Sequence, residues 1–169
     1  DATLNGQMSA SDAFVVTELD VSSQNISDLT GIEGFSSLEV LMAFNNDLVE
    51  VDLSRNTKLN TILLALNNLE EIDLSNNPDI ISLSLNSNNL EDIDLSNNLL
   101  LTQVFLNENN LIAIDVSLLS NLQNLDLSDN SIVELDISQN SNVTTLFCNN
   151  NALASLIVNN GNNSNFTNF

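Results

Sequence analysis

LEEIDLSNNPDIISLSLNSNN, residues 69–89, is one unit of a pattern that returns every 21 residues without a slip. The first apolar position of successive units falls on Leu48, Leu69, Leu90, Leu111, Ile132 and Leu153, so the regular stretch covers residues 48–158. Each unit reads L-x-x-I-D-L-S-x-N-x-x-L-x-x-L-x-L-x-x-N-x. Self-similarity at a fixed period of this length belongs to a chain wound into stacked coils, each too small to bury its apolar face alone.

The letters of the unit follow from that geometry. Leu38, Leu41, Ala43 and Leu48 alternate along a short strand and then turn, which points them into the coil. The same slots hold Ile80, Leu83, Leu85 and Leu90 further on, and Val143, Leu146, Cys148 and Leu153 near the end. Asn46, Asn67, Asn88, Asn109, Asn130 and Asn151 recur where the chain bends after the strand. Backbone buried at a bend needs partners, and a repeated amide supplies them in every coil. The other half repeats the device as I-D-L-S-x-N, with Asn77, Asn98 and Asn140. The expected fold is a β-rich leucine-rich repeat solenoid of about seven coils. It has a curved parallel sheet on its concave face, a strand-like or irregular outer side and little helix.

Upstream the grammar loosens. Val16, Leu19, Val21, Gln24 and Ile26 fit the inner half, with Gln24 where later coils have Asn; Gly31 and Gly34 predict a helical turn or tight loop on the outer side. Three regions follow: an N-terminal cap over 1–16, the solenoid over 17–158, and a tail or partial cap over 159–169. A short capping helix over 11–16 would cover the open end of the solenoid with Ala13, Phe14 and Val16. At the other end Phe166 and Phe169 can fold back over the last coil.

Residues 1–12, DATLNGQMSASD, overlay the twelve-residue EF-hand calcium loop. Asp1, Thr3 and Asn5 fall on its first ligand positions, Gly6 on the sharp turn, Gln7 on the carbonyl position and Asp12 on the last ligand. Thr3 in place of a carboxylate or amide, and Asp12 in place of the longer Glu, imply weak binding. The alternative is a polar loop with no cation. The chain opens on Asp1 with no initiator Met or signal peptide, as a mature or trimmed protein would.

Composition removes whole classes of function. Twenty-three acidic residues stand against Arg55 and Lys58, a formal charge of −21. Such a polyanion is repelled by phosphate backbones, which excludes nucleic acid as a partner. No apolar run is long enough for a membrane span. With no His or Tyr, a single Cys placed at an inward slot and no Lys or Arg beside a nucleophile, base-activated catalysis has no parts. The prominent carboxylates all repeat with the scaffold, where a glycosidase-like pair would break the period.

Side chains between the inward leucines face outward on the sheet. One column reads Asp20, Met42, Leu63, Ser84, Phe105, Asp126 and Phe147; the column two residues later reads Ser22, Phe44, Ala65, Asn86, Asn107, Ser128 and Asn149. The fold has no need of Met42, Phe44, Leu63, Phe105 and Phe147 there. They form the candidate ligand site or dimer contact, with Asp126 between the two phenylalanines; the alternative is that the cap or tail covers some of them. On the other half Asp52, Asp73, Asp94, Asp115 and Asp136 form an acidic row. Carboxylates about 5 Å apart repel even in water, so the row needs local hydrogen bonds, from backbone amides and the Ser two residues on, or a ladder of bound cations.

The unit resembles the nested bacterial leucine-rich repeat consensus L-x-x-L-x-[LC]-x-x-N-x-L-x-x-L-D-L-x-x-[NL]-x-x, including its Leu/Cys alternative at Cys148 and its Asn/Leu alternative at Leu119. Both ends, DATLNGQMSASDAFVVTELDVSSQNISDLTGIEGF and NGNNSNFTNF, are similar to the flanks of secreted Bacteroidetes proteins of this kind. The resemblance implies an extracellular, secreted or cell-surface location. It implies a non-catalytic recognition scaffold for a protein, peptide or glycan, or else a self-associating, homodimeric spacer of a surface or matrix. Calcium is the one cofactor suggested. The lack of Trp and Tyr removes the usual sugar-stacking platforms.

Overall fold

The computed structural model describes residues 13–166. One three-residue strand per coil lines one face of the solenoid: β1 (Glu18–Asp20), β2 (Val40–Met42), β3 (Thr61–Leu63), β4 (Ser82–Ser84), β5 (Gln103–Phe105), β6 (Asn124–Asp126) and, after the outer strand β7 (Glu134–Asp136), β8 (Thr145–Phe147). They form a seven-stranded parallel sheet in the order β1-β2-β3-β4-β5-β6-β8. The register runs from Val40 through Thr61, Ser82, Gln103 and Asn124 to Thr145, so the repeat of the sequence is also the step of the coil. In β2 to β6 and β8 the middle residue points inward; Leu41, Ile62, Leu83, Val104, Leu125 and Leu146 are buried in one continuous core.

The inner amide ladder is fully bonded. In the coil of Asn88, the side-chain Nδ2 donates to the carbonyls of Leu64 (3.0 Å) and Leu85 (2.9 Å), and Oδ1 accepts the N–H of Leu69 at 2.9 Å. Asn67 and Asn109 repeat these bonds in the neighbouring coils. Each amide therefore joins its own coil to the preceding one. Gln24, in the Asn slot of the first coil, is exposed; its side-chain amide donates to the nearby Ser22 carbonyl, and its backbone N–H is taken by Asn46 Oδ1.

The outer ladder is different. Asn56, Asn77, Asn98 and Asn140 are completely buried, and each donates twice to carbonyls of the preceding coil, as Asn77 does to Leu53 (3.1 Å) and Asn56 (3.0 Å). Their Oδ1 atoms have no partner. A buried acceptor without a donor is a standing cost, so this ladder stabilises less per residue than the inner one. One coil does without it: Leu119 fills the Asn slot and is buried.

The outer side is mostly turns rather than strands. Only at the end do β7 and β9 (Ser155–Ile157) pair, so the expected two-sided strand character is confined to the last coils. The early outer loop carries the turn suggested by its glycines, a short 3-10 helix over Ile32–Gly34 entered through Gly31 at φ 103, a conformation that favours glycine.

At the N-terminal end Ala13 is buried and Val16 packs against the core, but Phe14 is 60% exposed and does not cover the first coil. A four-residue turn from Ala13 to Val16, closed by the Val16 N–H on the Ala13 carbonyl, leaves the Phe14 side chain exposed. The calcium-loop positions Asp1, Thr3, Asn5, Gln7 and Asp12 lie outside the described residues, as does Phe169. Phe166 packs against the core, and Asn160 is buried with its amide on the Asn140 carbonyl, so the tail continues the outer ladder.

The two ladders predict unequal costs for the same substitution. Asn88→Leu strands the Leu69 N–H and two carbonyl bonds, and is expected to lower unfolding free energy by about 2–4 kcal/mol. Asn77→Leu also removes an orphaned acceptor and is expected to cost about half of that or less. Urea unfolding of both variants tests the difference; equal losses would refute the ranking.

Candidate functional site

Strand alternation brings the proposed site residues together on the outward face of the seven-stranded sheet. Asp20, Met42, Leu63, Ser84, Phe105, Asp126 and Phe147 are register partners in successive strands, one straight column. Met42 and Leu63 are direct neighbours, half-buried among the coils. Phe44 lies two residues further along, beside Ala65, through the bond from the Asn45 N–H to the Ala65 carbonyl. Phe44 and Phe147 are each 38% exposed, and Phe105 is half-buried. Asp126 sits between the two phenylalanines, its carboxylate accepting the N–H (3.0 Å) and hydroxyl (2.7 Å) of Ser128.

The column-by-column reading missed Leu66. Every coil passes through a left-handed residue just before its inner ladder position: Ser23, Asn45, Leu66, Ser87, Glu108, Asp129 and Asn150, with φ between 55 and 59. Six of the seven are polar or acidic. Leu66 is the exception, and its side chain is 52% exposed at the rim of the Met42, Phe44 and Leu63 cluster. A branched apolar side chain is disfavoured in this conformation and gains only partial burial in return. The signal was present in the sequence as a break in a polar column, but that column carries meaning only once the turn conformation is known.

The outer acidic row is held by local hydrogen bonds. Asp52, Asp73, Asp94, Asp115 and Asp136 each accept the N–H of the Ser two residues on, at 2.8 or 2.9 Å. The hydroxyl and N–H of that Ser hold the carboxyls of Asp52, Asp73, Asp94 and Asp115 below the usual range, and the N–H and hydroxyl of Ser138 do so for Asp136. At Asp73 the neighbouring Asp52 and Asp94 push the other way, more weakly. Among the described residues no three carboxylate or thiol groups are arranged to hold a metal ion.

Beside this row runs a shallow groove of about 650 Å³, floored by Leu29, Val51 and Ile72 and rimmed by Glu50, Asp52, Glu71 and Asp73. Cys148 occupies the inward slot of the last coil, half-buried rather than enclosed, and burial pushes its thiol pKa up, away from the reactive thiolate. No helix among the described residues is long and apolar enough to cross a membrane.

No protein-family model and no curated protein matches the sequence. Solved structures do match. The functional domain of InlJ from Listeria monocytogenes, described as including a cysteine ladder, superposes with TM-score 0.87 at 29% identity, over 95% of this chain and 40% of that one. The internalin InlF from the same organism gives 0.79 at 21% identity, over 86% and 48%. The leucine-rich repeat ectodomain of the plant membrane receptor kinase GASSHO1/SCHENGEN3 from Arabidopsis thaliana gives 0.77 at 23%, over 86% and 19%. The fold is thus that of a leucine-rich repeat solenoid, and the chain spans less than half the length of these three neighbours.

Two outcomes follow from the rim and the acidic row. Leu66→Asn, with a residue tolerant of left-handed φ, is expected to raise unfolding free energy by about 1 kcal/mol; a thermal melt showing destabilisation would mean that Leu66 has a packing role. For Asp94, the folded carboxyl titrates below its unfolded value. Its stabilisation is therefore present above about pH 4 and is lost as pH falls through the depressed range. The stability gap between wild type and Asp94→Ala should close on acidification from pH 5; a gap that stays constant would show that the carboxylate bond contributes nothing.

Proposed function

We propose that this chain is a non-catalytic extracellular recognition scaffold that binds a protein, peptide or glycan through the sheet face of its solenoid. One observation carries the reading: Met42, Phe44, Leu63, Phe105 and Phe147 place apolar side chains on the outward column, where the core has no use for them. Contiguous apolar surface of this kind marks interaction sites. A sheet whose strands are fixed by two amide ladders presents that surface with little ordering cost on binding. The plant ectodomain of the same fold was solved in complex with CASPARIAN STRIP INTEGRITY FACTOR 2, which supports use of this architecture for holding a partner.

Charge weighs against the homodimeric spacer. Two copies at −21 each repel at any distance below the screening length. Light-scattering mass of wild type and of the Met42→Glu/Leu63→Glu variant separates the readings. A monomer in both is expected; a wild-type dimer that the variant dissolves would make the face a self-association surface. With a ligand in hand, Phe105→Ala and Phe147→Ala are each expected to weaken binding about tenfold or more, at unchanged unfolding midpoint. Unchanged affinity in both would remove the site.

A further inference from the structure

The apolar residues of the outward column are not evenly spread. Leu63 on β3, Phe105 on β5 and Phe147 on β8 are separated by single polar steps, Ser84 on β4 and Asp126 on β6. Neighbouring strands lie about 4.8 Å apart, so the apolar positions recur at about 9.6 Å along the solenoid. A polyproline II segment returns to the same face every third residue, about 9.3 Å. Across the two intervals from Leu63 to Phe147 the mismatch is about 0.6 Å. An α-helix, returning after seven residues at about 10.5 Å, runs out of step by about 1.8 Å over the same distance. A β-strand, with same-face repeats near 6.8 Å and 13.6 Å, matches neither interval.

From this spacing the geometry points to a foreign segment in polyproline II conformation, lying along the solenoid axis across the strands, with an apolar residue at every third position and Lys or Arg between. This rests on the sheet face being the binding surface and names its occupant. The chemistry of the neighbouring column fits. Polyproline II has no internal hydrogen bonds, so its carbonyls and N–H groups need outside partners. Asn107 and Asn149 stand two residues beyond Phe105 and Phe147, with side-chain amides that make no hydrogen bond among the described residues. An aromatic ring beside a polar donor is the arrangement by which proline-rich segments are held elsewhere.

Charge completes the specification. Asp126 lies midway between the two aromatic steps and Asp20 at the near end of the column, while the only two cations, Arg55 and Lys58, follow Asp52 on the outer half of their coil. A cationic segment is drawn to this face and an anionic one repelled. With a single proline and two cations in these 169 residues, a second copy of this stretch does not supply such a segment.

The experiment uses synthetic peptides of equal length and composition built from Leu, Pro and Lys, each with the same few Leu set two, three or four positions apart, plus a helix-forming Leu/Lys peptide with a seven-residue Leu repeat. Titration calorimetry on the whole chain reads the affinity. The third-position peptide is expected to bind at least about tenfold tighter than its isomers and to lose about tenfold or more with Phe105→Ala or Phe147→Ala. Equal affinity among the isomers, preference for the helical peptide, or no binding up to about 1 mM overturns the proposal. Light scattering on the same samples tells this failure from failure of the site itself. A dimer burying the face defeats both readings, whereas a monomer indifferent to peptide spacing defeats only the polyproline one.

Discussion

The structure depends on a carboxamide that bonds in two directions. A parallel strand of three residues is too short to hold its neighbours by ladder bonds alone, and the bend that follows it leaves backbone groups pointing into an apolar interior. At Asn88 one side chain meets all of these demands, donating to two carbonyls and accepting one N–H, with partners in its own coil and the preceding one. No other uncharged side chain of this length offers two donors and an acceptor, which is why the same letter stands at this position from Asn46 to Asn151 and gives way only in the first coil, at Gln24. The leucine core supplies most of the driving force, but it is non-directional; the amide sets the pitch.

The fold was legible because the constraint is periodic. The inward slots, the inner ladder and the outward column all follow from the alternation of strand residues and a fixed step, and the strand register reproduces them residue for residue. Less legible was whatever depends on backbone conformation rather than on side-chain period. The outer half has the same letters as the inner one but forms strands only at β7 and β9. The Asp–Ser bond of I-D-L-S does not decide this, since Asp136 in β7 accepts the Ser138 N–H as Asp73 and Asp94 accept theirs in coils without an outer strand. Leu66 went unread for a related reason: its column has no meaning until the left-handed turn is seen. Phe14 was misplaced because an apolar letter at a chain end says nothing of which way the turn faces.

The polyanionic character is handled by the same local bonds. A row of carboxylates one coil apart would oppose stacking, yet each is solvated by its own coil through a Ser hydroxyl and N–H, and these outweigh the repulsion felt at Asp73. The charge is thereby made compatible with the pitch, and it leaves the surface with a negative field that attracts cations and repels anions.

A strict repeat turns every departure into information, provided burial is known. Leu119 and Leu66 are the same residue replacing a polar letter, and they mean opposite things. Leu119 is buried in the ladder whose acceptors have no donors, so its hydrophobic contact compensates for bonds that were worth little. Leu66 is half-exposed in a conformation that disfavours it, so little inside the coil compensates. Such a departure fits a contact made outside the coil. In the proposed binding face, Leu66 then joins Met42, Phe44 and Leu63 at a broad end in the early coils, with Phe105 and Phe147 as narrower steps beyond it.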